Sequence, residues 1–162
     1  MVASRPGCNA LMPRPKATFQ VDWVLGGEVA LGPAPRRAEH LQRLEEEGIR
    51  AVLSLCDDSE WPLPAGLDDR FLRGRLVLPE HRSGRDPSRA ELEAALVELE
   101  RLREQAGGPV FVHCVAGIER SPLVCMAWLM RRKGLSRLEA LDYLMQVHPA
   151  TSPLPGQLRV LE

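Results

Sequence analysis

Residues 109–133 constrain the chain most. They read PVFVHC, then VAGIER, then SPLVCMAWLMRRK. The first six are apolar nearly throughout, which predicts a strand buried on both faces at the centre of a sheet. Pro122 suits the first turn of a helix, where its missing N–H costs nothing. The helix it opens, running to Lys133, is apolar nearly all round and reads as the central buried helix. Residues 115–120 therefore form a loop between the carboxyl end of a central strand and a helix N-terminus. Open α/β sheets place their sites there.

The rest of the chain supplies the other layers. FQVDWVLGGEVAL alternates around Gly26-Gly27 and predicts a β-hairpin, residues 19–25 and 28–31. Arg36 to Glu47 predicts a helix with Leu41 and Leu44 on one face, stopped by Gly48. IRAVLSLC reads as a short buried strand, 57–70 as a surface loop, RLVLPE (75–80) as a further strand and HRSGRDP as a loop. Ser88 and Glu91 have capping-box spacing at the head of a helix whose stripe is Leu92, Leu96, Leu99 and Leu102. Ser136 and Glu139 repeat that box for a helix ending near His148, and a short last helix follows Pro155. This order implies an α/β fold: a single central sheet of about five strands flanked by helices on both faces. It occupies residues 19–162, behind a proline-containing, basic tail over 1–18 that is expected to be flexible.

Bulk properties remove several function classes. The chain has 162 residues and a formal net charge of −1, so it suits one domain and offers no basic surface for nucleic acid or anionic membranes. Arg131-Arg132-Lys133 closes a helix, where cations suit the dipole. The longest apolar run is too short to span a bilayer, and the N-terminus lacks a signal-peptide core. Cys8, Cys56, Cys114 and Cys125 show no paired spacing, against a disulfide framework or a zinc site. The expected setting is the cytoplasm. Nothing in the sequence assigns an oligomeric state.

The loop after Cys114 has chemistry of its own. A short strand-to-helix loop turns backbone N–H groups inward, and such a nest binds phosphate-like anions with help from the helix dipole. Gly117 permits backbone conformations that other residues resist. Arg120 offers a planar fork matched to two phosphate oxygens. The same field favours a thiolate, making Cys114 a nucleophile at neutral pH. The chemistry suggested is attack of sulfur on a phosphate ester, with the transition state held by amides and Arg120. The Ser121 hydroxyl is placed to help the sulfur leave, and His113, facing away, to orient the loop. No metal or other cofactor is required. A core cysteine explains neither Gly117 nor Arg120, a zinc ligand lacks partners, and a Walker loop needs a Gly-Lys-Ser/Thr that is absent.

VHCVAGIERSP resembles the signature of cysteine-based protein phosphatases, His-Cys-(five residues)-Arg-Ser/Thr. Its Ala-Gly, Arg-Ser and Pro resemble the dual-specificity branch, in wording closest to small bacterial, cyanobacterial-type members. VDWVLGGEVALG, EEGIRAVLSL and RLVLPE are similar to that family's upstream strands, and EALDYLMQVHPATSPLPGQLRVLE to its C-terminal helices. The resemblance covers most of 19–162 and implies a dual-specificity phosphatase catalytic domain with that family's fold. It implies that Cys114 is the nucleophile, that Arg120 clamps phosphate, and that the amides of Val115, Ala116, Gly117, Ile118, Glu119 and Arg120 form the cradle. Ser121 then assists breakdown of the phosphoenzyme and His113 tunes the thiol.

The family's general acid is an Asp on the loop after a strand, and here the sequence departs. Glu80 takes the strand-following position and Asp86 comes later in the same loop. Either carboxylate can protonate a leaving oxygen, with Glu80 the better match to position. Asp86, before Pro87, also reads as a turn or capping residue. In related lipid phosphatases a cysteine near the place of Cys56 forms a reversible disulfide with the nucleophile. A small buried residue at a strand end is the plainer reading.

Trp23 and Trp61 are candidates for aromatic walls of the pocket or for packing anchors. Glu119 disfavours highly anionic substrates. Arg82, Arg85 and Arg89 surround the acid loop, either to attract a phosphopeptide or as a solvated face. His40, His81 and His148 have no evident partners. The implied function is hydrolysis of phosphotyrosine and phosphoserine/threonine in phosphorylated protein substrates through a cysteinyl-phosphate. The alternatives are a non-catalytic phosphate-binding module of the same fold and a phosphatase of lipid or RNA phosphates.

Overall fold

The hairpin around Gly26-Gly27 sets one edge of the sheet. In a computed structural model, which describes residues 19–162, β1 (Asp22–Leu25) pairs antiparallel with β2 (Val29–Gly32). Three further strands, β3 (Ala51–Ser54), β4 (Leu72–Arg75) and β5 (Val110–His113), run parallel to β2. The order is β1-β2-β5-β3-β4, so β5 is central and its four residues are all buried. Residues 1–18, with Cys8, lie outside the described residues.

The period-two alternation of the strands sorts the core into two layers. Leu31, Leu53 and Val112 face a cluster built with α3 (Arg89–Ala106), α4 (Arg120–Lys133) and α5 (Arg137–Val147). Ala30, Val52 and Phe111 face the other way, onto Leu41 and Leu44 of α1 (Ala38–Glu46) and Leu67 of α2 (Leu67–Arg70). Both faces are thus covered, as the apolar strands require. Helix α4 is buried from Arg120 to Leu129. Both capping boxes form: Ser88 Oγ accepts from the Glu91 amide at 3.1 Å and Ser136 Oγ from that of Glu139 at 3.2 Å. A last short helix, α6 (Pro155–Arg159), ends the chain's regular structure. Among the described residues no helix is long and apolar enough to cross a membrane.

Two expectations need correction. The strand expected over 75–80 is β4, three residues earlier. Gly74 explains the shift: a Cβ there would lie 2.7 Å from Leu102 Cδ1, so the strand sits under α3 only at this residue. The apolar residues that follow stay extended, with Leu76 N–H on Ser54 O and Leu78 N–H on Leu55 O. Beyond them the Leu78 carbonyl accepts from Arg120 rather than from a strand. The segment 57–70, read wholly as loop, contains α2, which starts after Gly66 in the left-handed region.

Candidate active site

Cys114 follows β5 directly and is 3% exposed. Its Sγ receives the Gly117 amide at 3.3 Å and lies 3.4 Å from Ser121 Oγ in the first turn of α4. The sulfur therefore sits at the floor of the loop that leads into the helix, with the Gly117 amide directed at it. Gly117 carries φ +74, and a Cβ on it would come within 2.8–2.9 Å of the backbone of Gly32 and Pro33. Only glycine fits, on conformation and on space together.

Arg120 is 4% exposed and heavily bonded. Its Nη1 donates to the carbonyls of Leu55 and Leu78 at 3.3 and 3.1 Å. Glu60 grips it in a fork, Oε2 on Nη1 at 3.2 Å and Oε1 on Nη2 at 2.9 Å. Burial opposes the charge, but Glu60 and the neighbouring thiols outweigh it, and the guanidinium is held above its usual range. Burial likewise works against the Glu60 carboxylate, yet Arg120 and the Asp57 amide hold its pKa below the ordinary value. These bonds leave the Nε–H and one Nη2–H, which share an edge of the guanidinium. That edge is the one shaped for two oxygens of a tetrahedral anion.

His113 is fully buried. Its Nδ1 donates to the Cys114 carbonyl at 2.8 Å, and its Nε2 accepts from Ser54 Oγ at 2.7 Å. Arg73 Nη2 donates to that same Ser54 oxygen at 3.1 Å. Burial, reinforced by Arg73, Arg75 and Arg120, pushes the imidazole down to about 4. The ring is neutral at physiological pH, and its tautomer is set by the two partners. Cys56 is 1% exposed, with Sγ 4.0 Å from His113 Nδ1. Burial pushes its thiol up to about 11, so it sits beside the site protonated. Cys125 is fully buried in α4, its thiol raised by burial.

A cavity of about 370 Å³ opens over the sulfur, with Glu80, His81 and Arg82 on one wall and Cys114, Ile118 and Arg120 opposite. Glu119 meets His81 across it, Oε2 to Nδ1 at 3.3 Å. Of the two carboxylates expected as acid, the structure brings Glu80 to this cavity. Asp86 stands away, its carboxyl packed where a Cβ on Gly156 would fall. Trp23 and Trp61 are not pocket walls: Trp23 Nε1 donates to Glu47 at 3.1 Å, and Arg36 stacks on Trp61 at 4.5 Å. Of the three arginines near the acid loop only Arg82 lines the cavity. Arg85 pairs with Glu91 at 2.7 Å and Arg89 donates to the Glu162 carbonyl.

Sequence reasoning missed Glu60, Ser54, Arg73 and the partners of His148. Glu60 sat among several acids of an apparent surface loop, and nothing local marks it as the one that turns inward. Ser54 did carry a signal. It is a hydroxyl inside an otherwise apolar strand, two residues before Cys56, and a buried hydroxyl needs a partner.

The profile of the family described as "Dual specificity phosphatase, catalytic domain" matches residues 31–162. The chain belongs to this family. Human dual specificity phosphatase 28 is 38% identical over 154 residues, 95% of this chain and 80% of that protein. The phosphatidylglycerophosphate phosphatase PTPMT2 of Arabidopsis thaliana is 26% identical, over 82% of this chain and 57% of the relative. Of some longer family members the chain spans little; human dual specificity protein phosphatase 5 matches at 44% over 40% of this chain but only 16% of its own length. Among solved structures, Tk-PTP in the active form superposes with a TM-score of 0.75 at 29% identity, covering 87% of this chain and 92% of the other.

Proposed function

We propose that this chain hydrolyses phosphotyrosine and phosphoserine/threonine monoesters in proteins, without a metal, through a cysteinyl-phosphate. The observation that carries this reading is Cys114 Sγ beneath an inward amide, next to the Ser121 hydroxyl and the open edge of Arg120. In the first step the thiolate attacks phosphorus, an S–P bond forms and the bond to the leaving oxygen breaks. Glu80, at the cavity wall, gives that oxygen its proton. The cradle amides and Arg120 hold the equatorial oxygens throughout. In the second step Glu80, now ionised, takes a proton from water as the water oxygen attacks phosphorus. The S–P bond breaks toward sulfur, which Ser121 Oγ–H stabilises as it leaves. Inorganic phosphate departs and Glu80 is protonated again. His113 holds the Cys114 carbonyl and takes no proton in the cycle.

A thiol nucleophile works where thiols stay reduced, and Cys56, Cys114 and Cys125 are all free; this supports the cytoplasm as the setting. A second reading, a lipid phosphate substrate, is favoured by the similarity to PTPMT2. Three carboxylates at the cavity, Glu60, Glu80 and Glu119, weigh against a polyanionic headgroup. The deciding experiment measures p-nitrophenyl phosphate turnover in the presence of chelator, wild type against Cys114→Ser. Activity that survives Cys114→Ser, or that requires metal, overturns the mechanism. Phosphopeptides compared with phosphatidylglycerophosphate vesicles then separate the two substrate classes.

A further inference from the structure

An anion cradle works only if its N–H groups point inward, and in a planar trans peptide the carbonyl points opposite to the N–H of the next residue. Pinning a loop carbonyl outward therefore aims the following amide at the anion. The Cys114 carbonyl is pinned by His113 at 2.8 Å, that of Val115 by the Ala34 amide at 3.0 Å and that of Ile118 by the Ser152 amide at 2.9 Å. The Gly117 carbonyl is held differently. It accepts from a side chain far along the chain, Nε2 of His148, at 2.6 Å.

Gly117 is where such a clamp is most needed. A glycine with φ +74 can turn its following peptide over at little steric cost, the difference between two turn types. His148 is 1% exposed and follows α5 directly. Its other nitrogen, Nδ1, lies 2.6 Å from Asp22 Oδ2 on β1. A backbone carbonyl can only accept, so Nε2 donates to Gly117, and Asp22 holds the ring by its other nitrogen. The Thr151 hydroxyl and amide close the turn onto the His148 carbonyl at 2.7 and 3.0 Å, fixing the backbone that carries the ring.

We propose that His148, oriented by Asp22, is a positioning residue that locks the Gly117–Ile118 peptide and so turns the Ile118 N–H into the phosphate cradle. This rests on the reading of 114–120 as that cradle. Glutamine and asparagine separate the two halves of the clamp. Gln at 148 places its amide near the Nε2 position and keeps a donor for Gly117. Asn places its amide near Nδ1 and keeps only the bond to Asp22.

The test is the dissociation constant for inorganic phosphate, by calorimetry, with Tm measured alongside. His148→Asn is expected to weaken phosphate about tenfold, the worth of one buried hydrogen bond. His148→Gln is expected to stay within about twofold of wild type, with a Tm lowered comparably to that of Asn. Equal losses in both variants, or a loss in neither, overturn the inference. Failure of the wild type to bind phosphate at all overturns the cradle reading instead. If His148→Asn does not fold, the wild-type ring reports the same bond by NMR. The Nε2–H resonance is expected to be present and to move when phosphate is added, and a ring without that hydrogen refutes the clamp.

Discussion

Residues 114–120 and 79–88 face each other across one cavity, yet they are held in different ways. The loop that carries Cys114 is fixed from behind mainly by buried groups, His113, Ala34 and His148, with the backbone amide of exposed Ser152 and, for Arg120, the half-buried Glu60 and two carbonyls. The acid loop is exposed from His81 through Asp86. It is held by surface contacts, Ser83 Oγ donating to the Glu80 carbonyl at 2.7 Å, Arg85 on Glu91, and His81 on Glu119. Surface ion pairs of this kind contribute little, about 0–1 kcal/mol each. On the proposed mechanism the difference follows from two tasks: a cradle must be organised before charge develops, whereas a proton donor has only to reach one oxygen.

The largest expected effect lies in the nucleophile loop. Arg120→Lys keeps the charge but loses the fork, both toward Glu60 and toward substrate. It should lower kcat/KM for p-nitrophenyl phosphate by about 10³-fold. A loss below about tenfold would mean that the guanidinium geometry does not matter and would break the contrast at its strongest point.

His113, at the end of the strand behind that loop, should tie stability to pH. His113 is pushed from an ordinary value of 6.5 down to about 4 by burial. Between those values the unfolded chain binds the extra proton and the folded one does not. Stability is therefore complete above about 6.5 and is lost as pH falls toward about 4, by roughly 3 kcal/mol. Urea unfolding of wild type and His113→Asn at several pH values measures it. The gap between the two proteins should shrink as pH falls through that window, and a constant gap refutes the assignment.

In the acid loop the effect should be smaller and should depend on the substrate. Glu80→Gln is expected to lower kcat/KM, which reports formation of the phosphoenzyme, about 10²-fold when the leaving group is poor, and much less with p-nitrophenyl phosphate, whose leaving group needs little protonation. Asp86→Asn should stay within about twofold on both. A larger loss in Asp86→Asn than in Glu80→Gln would exchange their roles and would require the loop to rearrange over the cavity.

Much of this was legible in the chain. Both capping boxes, the central strand, the buried helix after Pro122 and the loop between them follow from local spacing, because each is fixed by neighbours within a few residues. What was not legible is long-range. Glu60 reaches Arg120 across 60 positions, Ser54 reaches His113 across 59, and Asp22 reaches His148 across 126. No periodicity encodes such pairs; they exist only once the sheet order places β3 and β1 near the ends of β5 and α5. The misplaced fourth strand has a similar cause. LRGR looks unlike a strand, but Arg75 pairs with Asp58 and Arg73 with Asp68 and Ser54, and its glycine admits α3.

Two serines give the finest test of the comparison. Ser54 and Ser88 each accept one N–H hydrogen bond, from Arg73 at 3.1 Å and from the Glu91 amide at 3.1 Å. Ser54 is also bonded to His113 behind the nucleophile; Ser88 caps α3 where the acid loop ends. Replacing either with alanine should cost about 1 kcal/mol, or slightly more at the buried Ser54, and lower Tm by a few degrees. Their effects on turnover should separate. Ser54→Ala frees the His113 ring to choose the other tautomer, which removes the donor that pins the Cys114 carbonyl, so kcat should fall by about tenfold. Ser88→Ala frays the first turn of α3 but leaves Glu80, eight residues earlier, on its own wall, and kcat should stay within about twofold. Equal changes in kcat from the two substitutions would show that the loops are held alike after all, and that burial behind the sulfur carries no particular weight in the chemistry.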